Sequence, residues 1–183
     1  LHGSEHSFPT RRSSDLDWPT HISEFAKSDK PLRELFPGGG FALHGNSKIF
    51  APLGISAAFY TTARREKRKE VLALLIPVTL TAMLIGITEP LEFTFLFVAP
   101  PLFAVHAVLA ASMASIMYML GLSGNMGGGL LDNFLFLNWV PLWQNHWPTY
   151  LMQIGVGLSF TVIYFLLFRF LILKFDFKTP GRE

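Results

Sequence analysis

The chain has 183 residues, 50% of them hydrophobic, 14% aromatic and 15% charged, with a net charge of +2 and a mean hydropathy of +0.37. This balance is too apolar for an ordinary soluble domain, and the basic residues flank apolar runs, which sets nucleic acid aside and makes the membrane the first hypothesis. The absence of cysteine excludes disulfides, thiolate metal sites, a cysteine nucleophile and a phosphocysteine relay on this chain.

In chain order, residues 1–16 lack the apolar core of a signal peptide. The run HSFPTRRSSDL (6–16) is polar and aperiodic. It resembles the translation of a common sequencing-library adapter, so native sequence is expected to start near Asp17, with the amino-terminal half of the protein lost at an assembly break. Residues 17–37 are polar and mixed in charge, and EFAKSDKPLRELFP offers a short interfacial helix or loop punctuated by Pro31 and Pro37.

Glycines 38–40 and the polar cluster 44–48 precede an apolar stretch, 49–60, which is short for a membrane crossing of about 20 residues. The block ARREKRK (63–69) sets five basic residues against one acid and is expected in the cytoplasm by the positive-inside tendency. Residues 71–88 are uncharged and apolar and predict a transmembrane helix. Residues 93–105 are apolar but contain Pro100 and Pro101, which favours a re-entrant or interrupted helix.

Residues 105–122, rich in alanine, serine and glycine, predict a second span packed inside a bundle. A glycine-rich turn at 124–129 leads to an apolar, aromatic segment, 130–143, too short and proline-broken for a standard span. Residues 150–175 predict a third span, with Arg169 and Lys174 near its end and KTPGRE beyond it, again a cytoplasmic signal. Two cytoplasmic anchors require an even number of crossings between them, so at least one broken segment must cross as well. The expected fold is an all-α integral membrane protein with re-entrant or broken hairpins, whose irregular backbone lines a substrate pathway.

The stretch GITEPLEFTFLFVAPPLFAVHA (86–107) resembles the signature of the glucose-superfamily enzyme IIC permeases of the phosphotransferase system. LHGNSKIFAPLGISAAFY, NMGGGLLD and the ending FRFLILKFDFKTPGRE are similar to its maltose and α-glucoside branch. The resemblance implies a permease, homodimeric when complete and embedded in membrane lipid, whose carboxy-terminal part carries the sugar. It implies residues 17–178 as part of that sugar-translocating IIC domain and 179–183 as the start of a linker to a IIB domain. The phosphorylated IIB domain is the partner, its phosphocysteine donating to the sugar's 6-hydroxyl, so this chain alone is not expected to phosphorylate sugar. No cofactor or metal is implied.

Glu89 and Glu92 flank Pro90 at the end of a span, where a carboxylate costs several kcal/mol unless paired or hydrated. Such a carboxylate can accept hydrogen bonds from vicinal sugar hydroxyls or polarise a hydroxyl that attacks a phosphoryl group. By resemblance Glu89 is the sugar ligand; the alternative is that both acids cap a helix at the interface. His44, Asn46 and Lys48 suit sugar hydroxyls or phosphate charge, or form an interfacial loop. Thr88 bonds either freed backbone or ligand, and Asp132, beside Asn133, lines the cavity or caps a helix. His106 is read as bonding a neighbouring helix. Trp139, Trp143 and Trp147 stack on sugar faces or, as the favoured reading, form an interfacial belt. The rivals to an α-glucoside permease are a glucose or N-acetylglucosamine permease, a transporter without phosphotransfer, and a non-functional fragment.

Overall fold

The computed structural model describes residues 18–35, 43–124 and 127–183, without the side chains of 18–20 and 132–134. The adapter-like segment and glycines 38–40 lie outside the described residues. All regular structure among the described residues is helical.

Helix α1 (Trp18–Phe25) and the single turn α2 (Leu32–Leu35) are followed by α3 (Gly45–Thr62). No breaker separates the polar residues 46–48 from the apolar run, so α3 is 18 residues long and takes them into its first turn. A 3₁₀ turn (Arg65–Lys67) leads to α4 (Arg68–Ile85), which Gly86 ends in the left-handed conformation, φ +84. Helix α5 (Glu89–Leu96) carries Pro90 in its first turn, and α6 (Pro100–Met119) opens on two prolines, where a missing N–H costs nothing. The interruption foreseen around Pro100 therefore falls at 97–99, between two separate helices.

A π-helix (Leu130–Trp139) runs into α7 (Val140–Phe175). Helix α7 starts earlier than residue 150 but breaks at His146 (φ −122, ψ 16), where Pro148 removes the donor for a carbonyl one turn back. The kink is braced by the amino-terminal helices. Asn145 Nδ2 donates to the Ala26 carbonyl at 2.7 Å, His146 Nε2 meets the Phe25 carbonyl at 2.9 Å, and Phe25, Leu32, Leu142 and Tyr150 bury one another.

Helix α3 packs most extensively against α7. A Cβ on Gly54 would stand 2.4 Å from the Thr161 carbonyl oxygen and 2.7 Å from Tyr164 Cβ, so only glycine permits this crossing. Phe59, Phe95 and Phe168 fill the adjoining core, Phe95 edge-on to the other two at 5.7 and 5.8 Å and Phe59 tilted against Phe168 at 6.5 Å. The glycine turn is seated in the same way, since a Cβ on Gly129 would come within 2.4 Å of the Leu84 carbonyl oxygen.

Two helical stretches, Pro100–Met119 and Leu135–Phe175, are long and apolar enough to cross a membrane. Along α7, Leu151, Leu158, Val162, Leu166 and Phe170 point outward and are exposed, an apolar face that fits lipid or another apolar surface far better than water. Helix α4 begins with Arg68, Lys69 and Glu70, which leaves 71–85 as its uncharged length, less than the about 20 residues of a straight crossing.

The carboxy-terminal segment folds back on the corner between α3 and α4. Arg182 Nη1 donates to the Thr62 carbonyl at 3.1 Å, and Arg68 reaches those of Thr61 and Ala63 at 3.3 and 3.4 Å, so two arginines satisfy the carbonyls left open where α3 ends. The Arg64 N–H donates to the Gly181 carbonyl at 3.0 Å, and Thr179 is fully buried. The basic block and the end of α7 thus lie at the same end of the bundle.

Candidate functional site

The polar residues of α3, α5 and α6 converge on one cavity. It encloses about 100 Å³ and is lined by His44, Ser47 and Lys48 from the start of α3, Thr88 and Glu92 from the start of α5, and His106 from α6, on an apolar floor that includes Ile55 and Leu91. A larger groove of about 410 Å³ between α3 and α4 is lined by Leu53, Tyr60, Leu72, Ile76 and Leu80. Two of its three hydroxyls, those of Ser56 and Thr79, bond to each other at 2.6 Å and its lining carries no charge, which leaves it little beyond the Tyr60 phenol to offer a polar solute. The smaller cavity therefore carries the chemistry.

Its charges are organised. Lys48 Nζ donates to the Gly127 carbonyl at 2.9 Å, tying α3 to the glycine turn. Glu92 Oε1 stands 3.5 Å from His106 Nε2, with both side chains largely enclosed, and Thr88, just before α5, lines the same cavity. Behind the imidazole, the Tyr164 hydroxyl lies 3.1 Å from Nδ1 and 3.1 Å from the main-chain carbonyl oxygen of His106. A cation, an anion and an imidazole at one wall can bind a polyhydroxylated ligand through both donors and acceptors. At about 30 Å³ per water molecule the cavity admits a few waters, so a sugar needs it to open.

The structure brings together Glu92, His44, Lys48 and Thr88 of the residues singled out in the sequence. Glu89 sits at the exposed start of α5, apart from the cavity lining. Asn46 is fully buried: its Nδ2 meets Met113 Sδ at 3.4 Å, and its Oδ1 accepts from Gln153 Nε2 at 3.3 Å. Gln153 Oε1 in turn accepts from Trp139 Nε1 at 3.4 Å, so Asn46 belongs to a polar chain linking α3, α6, α7 and the π-helix. The side chain of Asp132 lies outside the described residues. Trp143 stacks on Tyr150, with ring planes 10° apart, and none of the three tryptophans lines the cavity.

His106, read from sequence as bonding a neighbouring helix, does so through Tyr164 and also faces Glu92. Ser47 and Tyr164 were not singled out. An ionisable side chain within an apolar run is itself a signal, but the pairing of residue 106 with residues 92 and 164 follows only from the helix packing.

An all-helical module with outward apolar faces and a charged inner cavity is the architecture of a membrane permease for a polar solute. Residues 14–111, more than half of the chain, match the family "Phosphotransferase system, EIIC". The chain belongs to this family of bacterial inner-membrane permeases. It is 65% identical over 166 residues to the PTS system maltose-specific EIICB component of Bacillus subtilis (strain 168), and 65% identical over 166 residues to the PTS system alpha-glucoside-specific EIICB component of Leptotrichia buccalis. Each alignment covers 91% of this chain and 31% of the relative. The PTS system glucose-specific EIICBA component of Staphylococcus carnosus is 49% identical over 137 residues, 74% of this chain and 20% of that protein. The chain thus spans about a third of the length of the maltose- and α-glucoside-specific relatives.

Proposed function

We propose that, in a protein of the length of these relatives, this segment belongs to the sugar-translocating part of a IIC permease. It binds an α-glucoside such as maltose and presents it to a phosphorylated IIB domain. The observation that carries the specificity is the 65% identity to both maltose- and α-glucoside-specific components, against 49% to the glucose-specific one. In this reading Glu92, Lys48, His44 and Thr88 contact the sugar from the cavity wall, Asn46 holds the wall in place, and Glu89 and Asp132 are further sugar ligands in the complete permease. The carboxylates accept from sugar hydroxyls and Lys48 meets the negative charge that arrives with the phosphoryl group.

The remaining features follow from the same reading. The short helix α5 between α4 and α6 forms a re-entrant hairpin, the bundle crosses the membrane several times within lipid, and the complete permease is a homodimer. Both the basic block and the end of α7 face the cytoplasm, in agreement with their clustering of Arg64, Arg65, Lys67 and Arg68. Residues 179–183 lead towards the IIB domain.

A panel of maltose, glucose and N-acetylglucosamine tests the reading, with binding and IIB-dependent phosphorylation measured on the full-length protein. Preferential binding and phosphorylation of maltose is the expected result. Preference for either monosaccharide moves the chain to another branch, and sugar binding without phosphorylation in the presence of phosphorylated IIB overturns the phosphotransfer assignment.

A further inference from the structure

We propose that His106 is a positioning residue for Glu92: Tyr164 and a box of aromatic rings fix its imidazole so that Nε2–H is presented to the carboxylate, which aims Glu92 across the cavity. This deepens the reading given above and rests on it.

A phenol has one hydrogen to give, and the Tyr164 hydroxyl has two acceptors on the same residue, the carbonyl oxygen and Nδ1 of His106, each at 3.1 Å. If the hydroxyl donates to Nδ1, the neutral imidazole carries its proton on Nε2. If it donates to the carbonyl oxygen, Nδ1–H must donate back to the phenol oxygen, and the ring is then either an imidazolium or the neutral Nδ1–H tautomer. That tautomer would turn a bare Nε2 lone pair towards Glu92 Oε1 at 3.5 Å, which is repulsive. Both favourable arrangements therefore place an N–H in front of the carboxylate.

The ring is held there mechanically. Phe95 packs edge-on against it with centroids 6.2 Å apart, Phe103 lies at 6.1 Å and Tyr164 at 5.7 Å, so three rings from α5, α6 and α7 bound the imidazole. Glu92 faces His106 at 3.5 Å, and Thr88 and Lys48 line the same cavity. A carboxylate fixed in this way keeps its remaining lone pairs for sugar hydroxyls. Unpaired in an apolar bundle, the same group would turn or take up a proton and lose its value as an acceptor.

The test is a double-mutant cycle on the full-length protein, reading maltose affinity for wild type, His106→Ala, Glu92→Gln and the double variant, with His106→Gln as the conservative replacement. Loss of a charge-assisted contact predicts that each single variant binds maltose about 10- to 100-fold more weakly. Because His106 acts through Glu92, the double variant should be no weaker than Glu92→Gln alone. The amide of glutamine can donate from about the Nε2 position, so His106→Gln should regain most of the affinity lost in His106→Ala. Independent, additive losses in the cycle overturn the proposal, as does unchanged affinity in His106→Ala or equal loss in His106→Ala and His106→Gln. A wild-type protein that binds no α-glucoside would instead remove the functional reading beneath it, and the two failures are distinct.

Discussion

Two acid–base pairs in this chain use the same chemistry in opposite surroundings. Glu92 and His106 meet at 3.5 Å inside the bundle with 22% and 14% of their side chains exposed, whereas Asp176 and Arg182 meet at 2.7 Å at its end with 61% and 18% exposed. The shorter pair contributes less. Water and salt screen Asp176, while Arg182 is held chiefly by the carbonyl it caps at the end of α3. The longer pair sits where few waters can replace either partner, so removing one strands the other. Surroundings, more than distance, decide which pair the fold depends on.

The comparison breaks most readily through the packing that creates the enclosed side. Gly54→Leu should separate α3 from α7, at an expected cost of about 3 kcal/mol or more, because its first atom would already overlap the Thr161 carbonyl. Loss of monodisperse protein in size-exclusion chromatography reports it, and normal yield would show that the crossing is looser than described. Next in size, Tyr164→Phe should lower thermal stability by about 1 kcal/mol, since the part-buried His106 Nδ1 loses its partner. Unfolding midpoints in detergent would show it.

Smaller effects belong to the exposed end. Lys67 Nζ stands 3.7 Å from Glu183 Oε1 with both side chains exposed, so Lys67→Ala should shift the unfolding midpoint by the equivalent of less than about 1 kcal/mol. The smallest effect concerns pH. Lys178, and after it Arg182, hydrogen-bond the Asp176 carboxylate and hold it below its ordinary value. A group lowered on folding adds stability above its unfolded pKa and loses it as pH falls through the folded one. Docking of residues 176–183 should therefore be insensitive to pH from neutrality down to the ordinary carboxylate range and loosen only below it, which limited proteolysis of this segment across a pH series reads directly. Loosening near neutrality would point to a different titrating group.

Much of the helical layout was legible because its punctuation is local. Gly86 marks the end of α4 and Pro100 the start of α6, whereas the packing foreseen from the small residues of α6 is limited to one stripe, Leu102, Met113 and Met117. The extent of α3 was not, since hydropathy alone cannot tell that residues 46–48 continue the helix that follows. The early start of α7 was hidden because Pro141 and Pro148 read as breaks, yet the helix passes both with a π-helical lead-in and a kink at His146. At the site, Glu92 and Lys48 stood out as charges bordering apolar runs. The partnership of His106 with Tyr164 spans 58 residues and exists only once α6 lies on α7, so spacing in the chain carries no trace of it.

The central claim is that the enclosed carboxylate, Glu92, binds the sugar. Calorimetric titration of maltose into the full-length protein, comparing wild type, Glu92→Gln and Glu89→Gln, tests it most directly. Glu92→Gln should weaken maltose binding at least about tenfold, with Glu89→Gln weakening it less. Unchanged affinity in Glu92→Gln, with binding lost in Glu89→Gln, would contradict it and move the sugar from the cavity to the exposed start of α5.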